Sequence, residues 1–188
     1  MFYPDCDGTA AHAIFSLEID SKVASAPVTT GDESETLDKG CILICADDDK
    51  GPRLMYKGLV KKLGVDNHMI LGEKYAEAAG LVDIALAAEM DFGGHNVICI
   101  LDQNMDRYTE GTILGTDVTR RLRECGFKGL IFIRSANDDM ESRVAYKNAG
   151  ADATLSKGTK SIDDLAKGIV AVRRRFLLTF SDAVLALS

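Results

Sequence analysis

The sequence predicts an α/β domain with a doubly wound parallel sheet. Three observations carry that expectation. Short apolar runs at 41–46 (CILICA), 97–101 (VICIL) and 130–133 (LIFI) show no polar alternation, as expected for strands covered on both faces. Segments with helical spacing lie between them. Each run also ends abruptly in a polar residue: Asp47, Asp102 or Arg134. Strand–helix alternation of this kind means a parallel sheet with helices on both faces, and right-handed crossovers leave few topologies.

The elements follow in chain order. Residues 1–39 read as an N-terminal extension: 25–39 (SAPVTTGDESETLDK) is polar and acidic, while 10–19 (AAHAIFSLEI) suits a short docked helix or strand equally well. The folded domain is expected at 40–178, with a tail at 179–188. After the first strand, 51–63 carries Met55, Leu59 and Leu63 at four-residue spacing, and Pro52 is tolerable in a first turn. A weaker strand at 68–71 (HMIL) precedes an Ala-rich helix at 74–89, with Leu81, Ile84, Ala85 and Ala88 on one side. Beyond the strand at 97–101, helix 116–125 places Val118, Leu122 and Cys125 together, and Gly126 can end it. The strand at 130–133 leads to helix 138–149, with an acidic start and a stop at Gly150. A last short strand at 153–155 (ATL) leads to a helix opened by Ser161 and Asp164 in a capping-box-like start. That helix presents Ile162, Leu165, Ile169, Val172 and Phe176 on one face, and Arg173–Arg175 are expected to complement its C-terminal dipole. Five β/α units of this size imply a flavodoxin-like (βα)5 sheet of order 2-1-3-4-5.

Composition narrows the function classes. A net charge of −7 and a pI near 5.0 argue against nucleic acid as a partner, because phosphate contacts need clustered Lys and Arg. No apolar run approaches the ~20 residues that span a bilayer, and residues 1–20 do not read as a secretory signal. The five cysteines (Cys6, Cys41, Cys45, Cys99 and Cys125) form no C-x-x-C pair. Reduced thiols in a cytoplasmic protein are the expectation, with zinc a remote reading.

In such sheets ligands bind beyond the carboxyl ends of the strands, near the switch in strand order. Asp47, Asp48 and Asp49 follow the first strand and Asp102 the third; Ser135 follows the fourth, and Lys157 the fifth. Taken singly, an acidic run is usually a solvated turn, Ser135 a cap and Lys157 a surface lysine. Brought to one rim, they form a coherent site. Converging carboxylates need a hard cation, and Mg²⁺ takes a few carboxylate oxygens while keeping other ligands as water or phosphate. A carboxylate is a competent nucleophile toward a phosphoryl group. Transfer then needs positioning and charge neutralisation by a metal on one side and a lysine on the other.

At this point the sequence resembles the receiver domains of response regulators. The matching stretches are ILICADDD, ILDQNM, IFIRSAN and AGADATLSKG, spanning roughly residues 41–176. The intervals from Ser135 to Lys157 and from Asp48 to Arg53 are those of the family. The resemblance implies Asp102 as phosphoacceptor, Asp48 as a direct Mg²⁺ ligand and Asp47 as its water-mediated partner. It implies Asn104 as the donor of a backbone carbonyl to the metal, Ser135 as the switch hydroxyl and Lys157 as the family's invariant lysine. It further implies a histidine kinase or histidine phosphotransfer protein as phosphodonor, a downstream protein partner that the sequence does not identify, and, by analogy, a homodimer through the last two β/α units. The chain is then either a stand-alone signalling domain or the receiver end of a larger hybrid kinase.

Departures from the family pattern bear on output. Asp106 stands where Pro is usual, and the loop 106–114 is longer. Thr154 occupies the aromatic switch position, and Gly158 follows the lysine in place of Pro. The region 68–96 is also extended. Two alternatives stay open: a pseudo-receiver that binds without phosphorylation, and a haloacid-dehalogenase-like phosphatase. The second expects an acid two residues after the nucleophile, where this chain has Asn104. His12 as an internal phosphodonor lacks a convincing helical hairpin around it, and His68 and His95 are read as non-catalytic.

Overall fold

The structure, a computed structural model, describes residues 36–137, 139–159 and 161–185. The expectations for the N-terminal segment, including Cys6, His12 and the docked element at 10–19, lie outside the described residues, as does the side chain of Asp138.

Five parallel strands form the main sheet: β1 (Ile42–Ala46), β2 (Asn67–Leu71), β3 (Val97–Asp102), β6 (Leu130–Ser135) and β7 (Ala153–Ser156). Their order is β2-β1-β3-β6-β7, the predicted 2-1-3-4-5 arrangement. The helices are α1 (Lys50–Leu63), α2 (Tyr75–Ala79), α3 (Leu81–Phe92), α4 (Gly115–Glu124), α5 (Met140–Asn148) and α6 (Ile162–Leu185). Two short strands, β4 (Asn104–Met105) and β5 (Ile113–Leu114), pair antiparallel outside the main sheet.

Alternate residues of each central strand serve two separate cores, as strand geometry requires. On one face Leu43, Cys45, Ile98, Ile100, Leu130 and Phe132 pack with Tyr56, Leu59 and Leu63 of α1 and with Leu165 and Ile169 of α6. On the other Ile42, Ile44, Val97, Cys99, Leu101 and Ile131 meet Leu81, Ala85 and Ala88 of α3 and Val118 and Leu122 of α4. Burial on both faces explains why β1, β3 and β6 read as unbroken apolar runs.

Three expectations change. The Ala-rich segment is two helices, broken at Gly80, whose backbone (φ −84°, ψ 3°) leaves helical geometry. The helix after β6 starts at Met140, because Asp139 caps it by accepting from Ser142 N at 2.8 Å. The last helix runs to Leu185, which puts Arg173–Arg175 in its interior rather than at its C-terminal dipole. Arg173 is buried there and donates to Asn96 Oδ1 at 3.1 Å. Cys41, Cys45 and Cys99 are buried and form no disulfide. Burial raises the Cys45 thiol well above its ordinary value and pushes Cys99 up to about 12, so neither is a ready thiolate. No described helix is long and apolar enough to cross a membrane.

Candidate functional site

Parallel strands end at a common edge, and the register decides which end-residues meet. Ala46 pairs with Leu101, so Asp47 lies beside Asp102, the last residue of β3. Asp102 in turn pairs with Arg134 of β6. Local hydrogen bonds hold the acidic run. Asp47 Oδ1 accepts from Asp49 N at 2.9 Å, and Asp49 caps α1 by accepting from Gly51 N at 3.2 Å. Arg53 Nη1 donates to Asp47 O at 2.9 Å and to Gly72 O at 3.3 Å, tying α1 to the end of β2. Gly72 has φ +102°, and a Cβ there would lie 2.5 Å from Asp47 O, so both conformation and space demand glycine.

Asp47, Asp48 and Asp102 each offer a carboxylate oxygen within 4.8 Å of the others. Asp47 and Asp102 are almost fully buried, at 0% and 1% exposure. Lys157 reaches in from the end of β7: its Nζ is 2.6 Å from Asp102 Oδ1 and 3.9 Å from Asp47 Oδ2. Its own backbone N–H donates to Ser135 O at 2.7 Å, which holds it beside β6 although Gly158 follows. Ser135 is 2% exposed, and its Oγ accepts from Asn137 N at 3.1 Å and from the Tyr146 hydroxyl at 2.8 Å. The structure thus brings Asp47, Asp48, Asp102, Ser135 and Lys157 to one edge. Asn104 lies two residues beyond Asp102, at the start of β4, with an exposed side chain.

The electrostatics follow from burial. Asp47 is pushed up to about 6, first by burial and then by the charge of Asp102, against the opposing pull of the Asp49 N–H, Lys157 and Arg134. Burial also raises Asp102, offset chiefly by Lys157. Buried carboxylates that repel one another are stabilised by a cation, and Asp47 Oδ2 and Asp102 Oδ2 are buried without a hydrogen-bond donor. Hard oxygen donors of this number fit Mg²⁺.

Several residues of the site carry no signal that periodicity reveals. The loop after β4 folds onto the acidic rim. Arg107 N donates to Asp48 Oδ2 at 2.7 Å, and its Nη2 pairs with Asp49 Oδ2 at 2.8 Å. The Tyr108 hydroxyl donates to Gly72 O at 2.9 Å, and its ring meets Tyr75 edge-on at 5.6 Å. Tyr146 reaches Ser135 from α5, and Arg134 sits buried next to Asp47. Of these, the sequence marks only the unusual length of the loop and Arg134 as the polar end of an apolar run.

No protein-family model and no curated protein matches the sequence. Solved structures do match the fold. The signal receiver domain of a LuxO repressor protein from Vibrio parahaemolyticus is 17% identical, with a TM-score of 0.59, covering 77% of this chain and 96% of that one. The chemotaxis protein CheY4 of Vibrio cholerae is 18% identical, with a TM-score of 0.55, covering 70% and 98%. The receiver domain of the Francisella response regulator 1452 is 19% identical, with a TM-score of 0.55, covering 72% and 98%. At these identities the likeness establishes the fold.

Proposed function

We propose that this chain, which folds as a response-regulator receiver domain, accepts a phosphoryl group on Asp102 from a phosphohistidine donor and changes a protein-binding face in response. The single observation that supports this reading most is the buried convergence of Asp102 with Asp47, Asp48 and Lys157 at the carboxyl edge of the sheet. Asp47 and Asp48 would hold Mg²⁺ together with Asp102, and Asn104 would offer its backbone carbonyl. The ion would supply charge neutralisation for the phosphoryl oxygens.

The remaining chemistry belongs to the chain. The ionised Asp102 carboxylate attacks phosphorus. A P–O bond forms as the P–N bond to the donor imidazole breaks, and the imidazole leaves with that electron pair. Lys157, 2.6 Å from Asp102 Oδ1, favours the anionic nucleophile and balances charge on the transferring group. Ser135 presents a hydroxyl at the neighbouring strand end, and its bond to Tyr146 links that hydroxyl to α5. A shift of Ser135 toward the phosphoryl oxygens would loosen this bond and report phosphorylation to the α5 surface.

The donor on this reading is a histidine kinase or a histidine phosphotransfer protein in a cytoplasmic two-component pathway. Incubation with acetyl phosphate and Mg²⁺ should label the wild-type protein and leave Asp102→Asn unlabelled, as read by intact mass. Equal labelling of the variant would reassign the acceptor. A folded wild type that no small phosphodonor labels would instead indicate a binding module of the same fold.

A further inference from the structure

The mechanism above leaves the buried charge of Arg134 unused. Arg134 is the fifth residue of β6, after Leu-Ile-Phe-Ile, yet it is only 6% exposed. Its register partner is Asp102, so the guanidinium and the acceptor carboxylate leave the sheet on the same face. The side chain runs under α1. Its Cζ lies 5.8 Å from the Tyr56 ring centroid, and Nη2 lies 3.9 Å from Met55 Sδ. Nη1 is 3.7 Å from Asp47 Oδ2, close enough for strong attraction but too far for a hydrogen bond. Neither Nε nor Nη1 of Arg134 has a hydrogen-bond partner, and neither does Asp47 Oδ2. An arginine buried for stability satisfies its planar fork with carboxylates or carbonyls. This one keeps two donor nitrogens without hydrogen bonds beside an acid with an unused oxygen. Such an arrangement is costly to bury, and its evident effect is the positive field it places on Asp47.

From this geometry we infer that Arg134 is a resident counter-cation that competes with the divalent ion for Asp47 and lowers the metal affinity of the pocket. The inference rests on the reading of Asp47, Asp48 and Asp102 as the metal-binding acids. Fully ionised, those three carboxylates carry −3, and Lys157 with Arg134 return +2, leaving −1; without Arg134 the sum is −2. One unit of charge at this depth changes the attraction for a divalent ion strongly, because water screens it poorly. The pocket then fills in proportion to free Mg²⁺ instead of standing saturated, and readiness for phosphorylation follows the cation.

Calorimetric titration of the full chain with MgCl₂ tests this directly. Arg134→Met keeps an apolar stem against Tyr56 and removes the charge, whereas Arg134→Lys keeps the charge. The methionine variant should bind Mg²⁺ at least tenfold more tightly than wild type, and the lysine variant within about threefold of it. The Mg²⁺-induced rise in Tm should follow the same order. Asp48→Asn should abolish binding in each background, tying the heat to this pocket. If Arg134→Met does not fold, Arg134→Gln should show the same tightening. Unchanged or weaker Mg²⁺ affinity in the neutral variants overturns the role of Arg134 while leaving the metal site intact. Absence of Mg²⁺ binding from wild type and every variant, with no Mg²⁺-dependent labelling of Asp102, overturns the site itself and the inference with it.

Discussion

At the amino-terminal edge of the sheet, Arg123 donates Nε to Gly150 O at 3.0 Å, Nη1 to Phe127 O at 2.7 Å and Gly129 O at 2.9 Å, and Nη2 to Asp152 Oδ2 at 2.7 Å. Asp152 Oδ2 also accepts from Ile131 N at 2.7 Å, which ties the starts of β6 and β7 together. At the carboxyl edge, Arg134 faces Asp47 across 3.7 Å, with Nε and Nη1 lacking hydrogen-bond partners. Each guanidinium lies 5.8 Å from an aromatic ring, Phe127 in one case and Tyr56 in the other, although Arg123 is partly exposed and Arg134 is buried. Their hydrogen bonding differs as well. The first arginine is saturated and joins loops; the second holds its capacity in reserve where three acids and a lysine meet. The saturated arginine ties chain segments together, while the incompletely bonded one adds positive charge beside the acids.

The largest expected effect is on stability at the saturated end. Arg123→Ala removes four hydrogen bonds and leaves Asp152 with a weaker partner set, and should cost about 3 kcal/mol in urea unfolding, allowing for its partial exposure. In saturating Mg²⁺, Arg134→Met should cost clearly less. Equal losses at the two ends would break the contrast.

A second effect is pH-dependent and belongs to the carboxyl end. In Mg²⁺-free protein the Asp47 carboxyl titrates near 6 when folded and near 3.8 when unfolded, so the folded form holds its proton more tightly. That contribution is complete below about pH 4 and is lost as pH rises to about 6, for a total of roughly 2–3 kcal/mol. The stability of wild type relative to Asp47→Asn should fall by this amount between pH 4 and pH 7, and Mg²⁺ should suppress the change. A flat difference would mean that Asp47 is ordinary in its acidity. The smallest effect concerns Tyr146→Phe, which removes one buried hydrogen bond to Ser135 and should cost about 1 kcal/mol. It should leave Asp102 labelling intact while changing how long the label persists, measured by the decay of the phosphorylated mass.

The fold and the outline of the site were legible because both depend on patterns that burial imposes. Strands β1, β3 and β6 are apolar on both faces, and a parallel sheet delivers the residues after them to one edge. The positions of Asp47, Asp48, Asp102, Ser135 and Lys157 after strands put them at one rim, and in the structure they lie at one edge of the sheet. Features that depend on tertiary packing were not legible. Gly80 hides within an Ala-rich stretch that continues helical spacing on both sides. Residues 104–114 carry no strand periodicity, yet β4 and β5 pair there and the loop between them delivers Arg107 to Asp48. Arg173 reads as a surface charge near a helix end until α6 is seen to continue past it. Arg134 reads as the polar end of a strand; its burial comes from the overlying Met55 and Tyr56, which no local pattern announces.

The central claim is tested most directly by finding where the phosphoryl group sits. Borohydride reduces an acyl phosphate to the alcohol, so treatment of the acetyl phosphate-labelled protein converts a phosphorylated aspartate to homoserine, which peptide mass spectrometry locates. Homoserine at position 102, dependent on Mg²⁺, is the predicted result. Homoserine at Asp47 or Asp48, or at no residue of a folded protein, would contradict it.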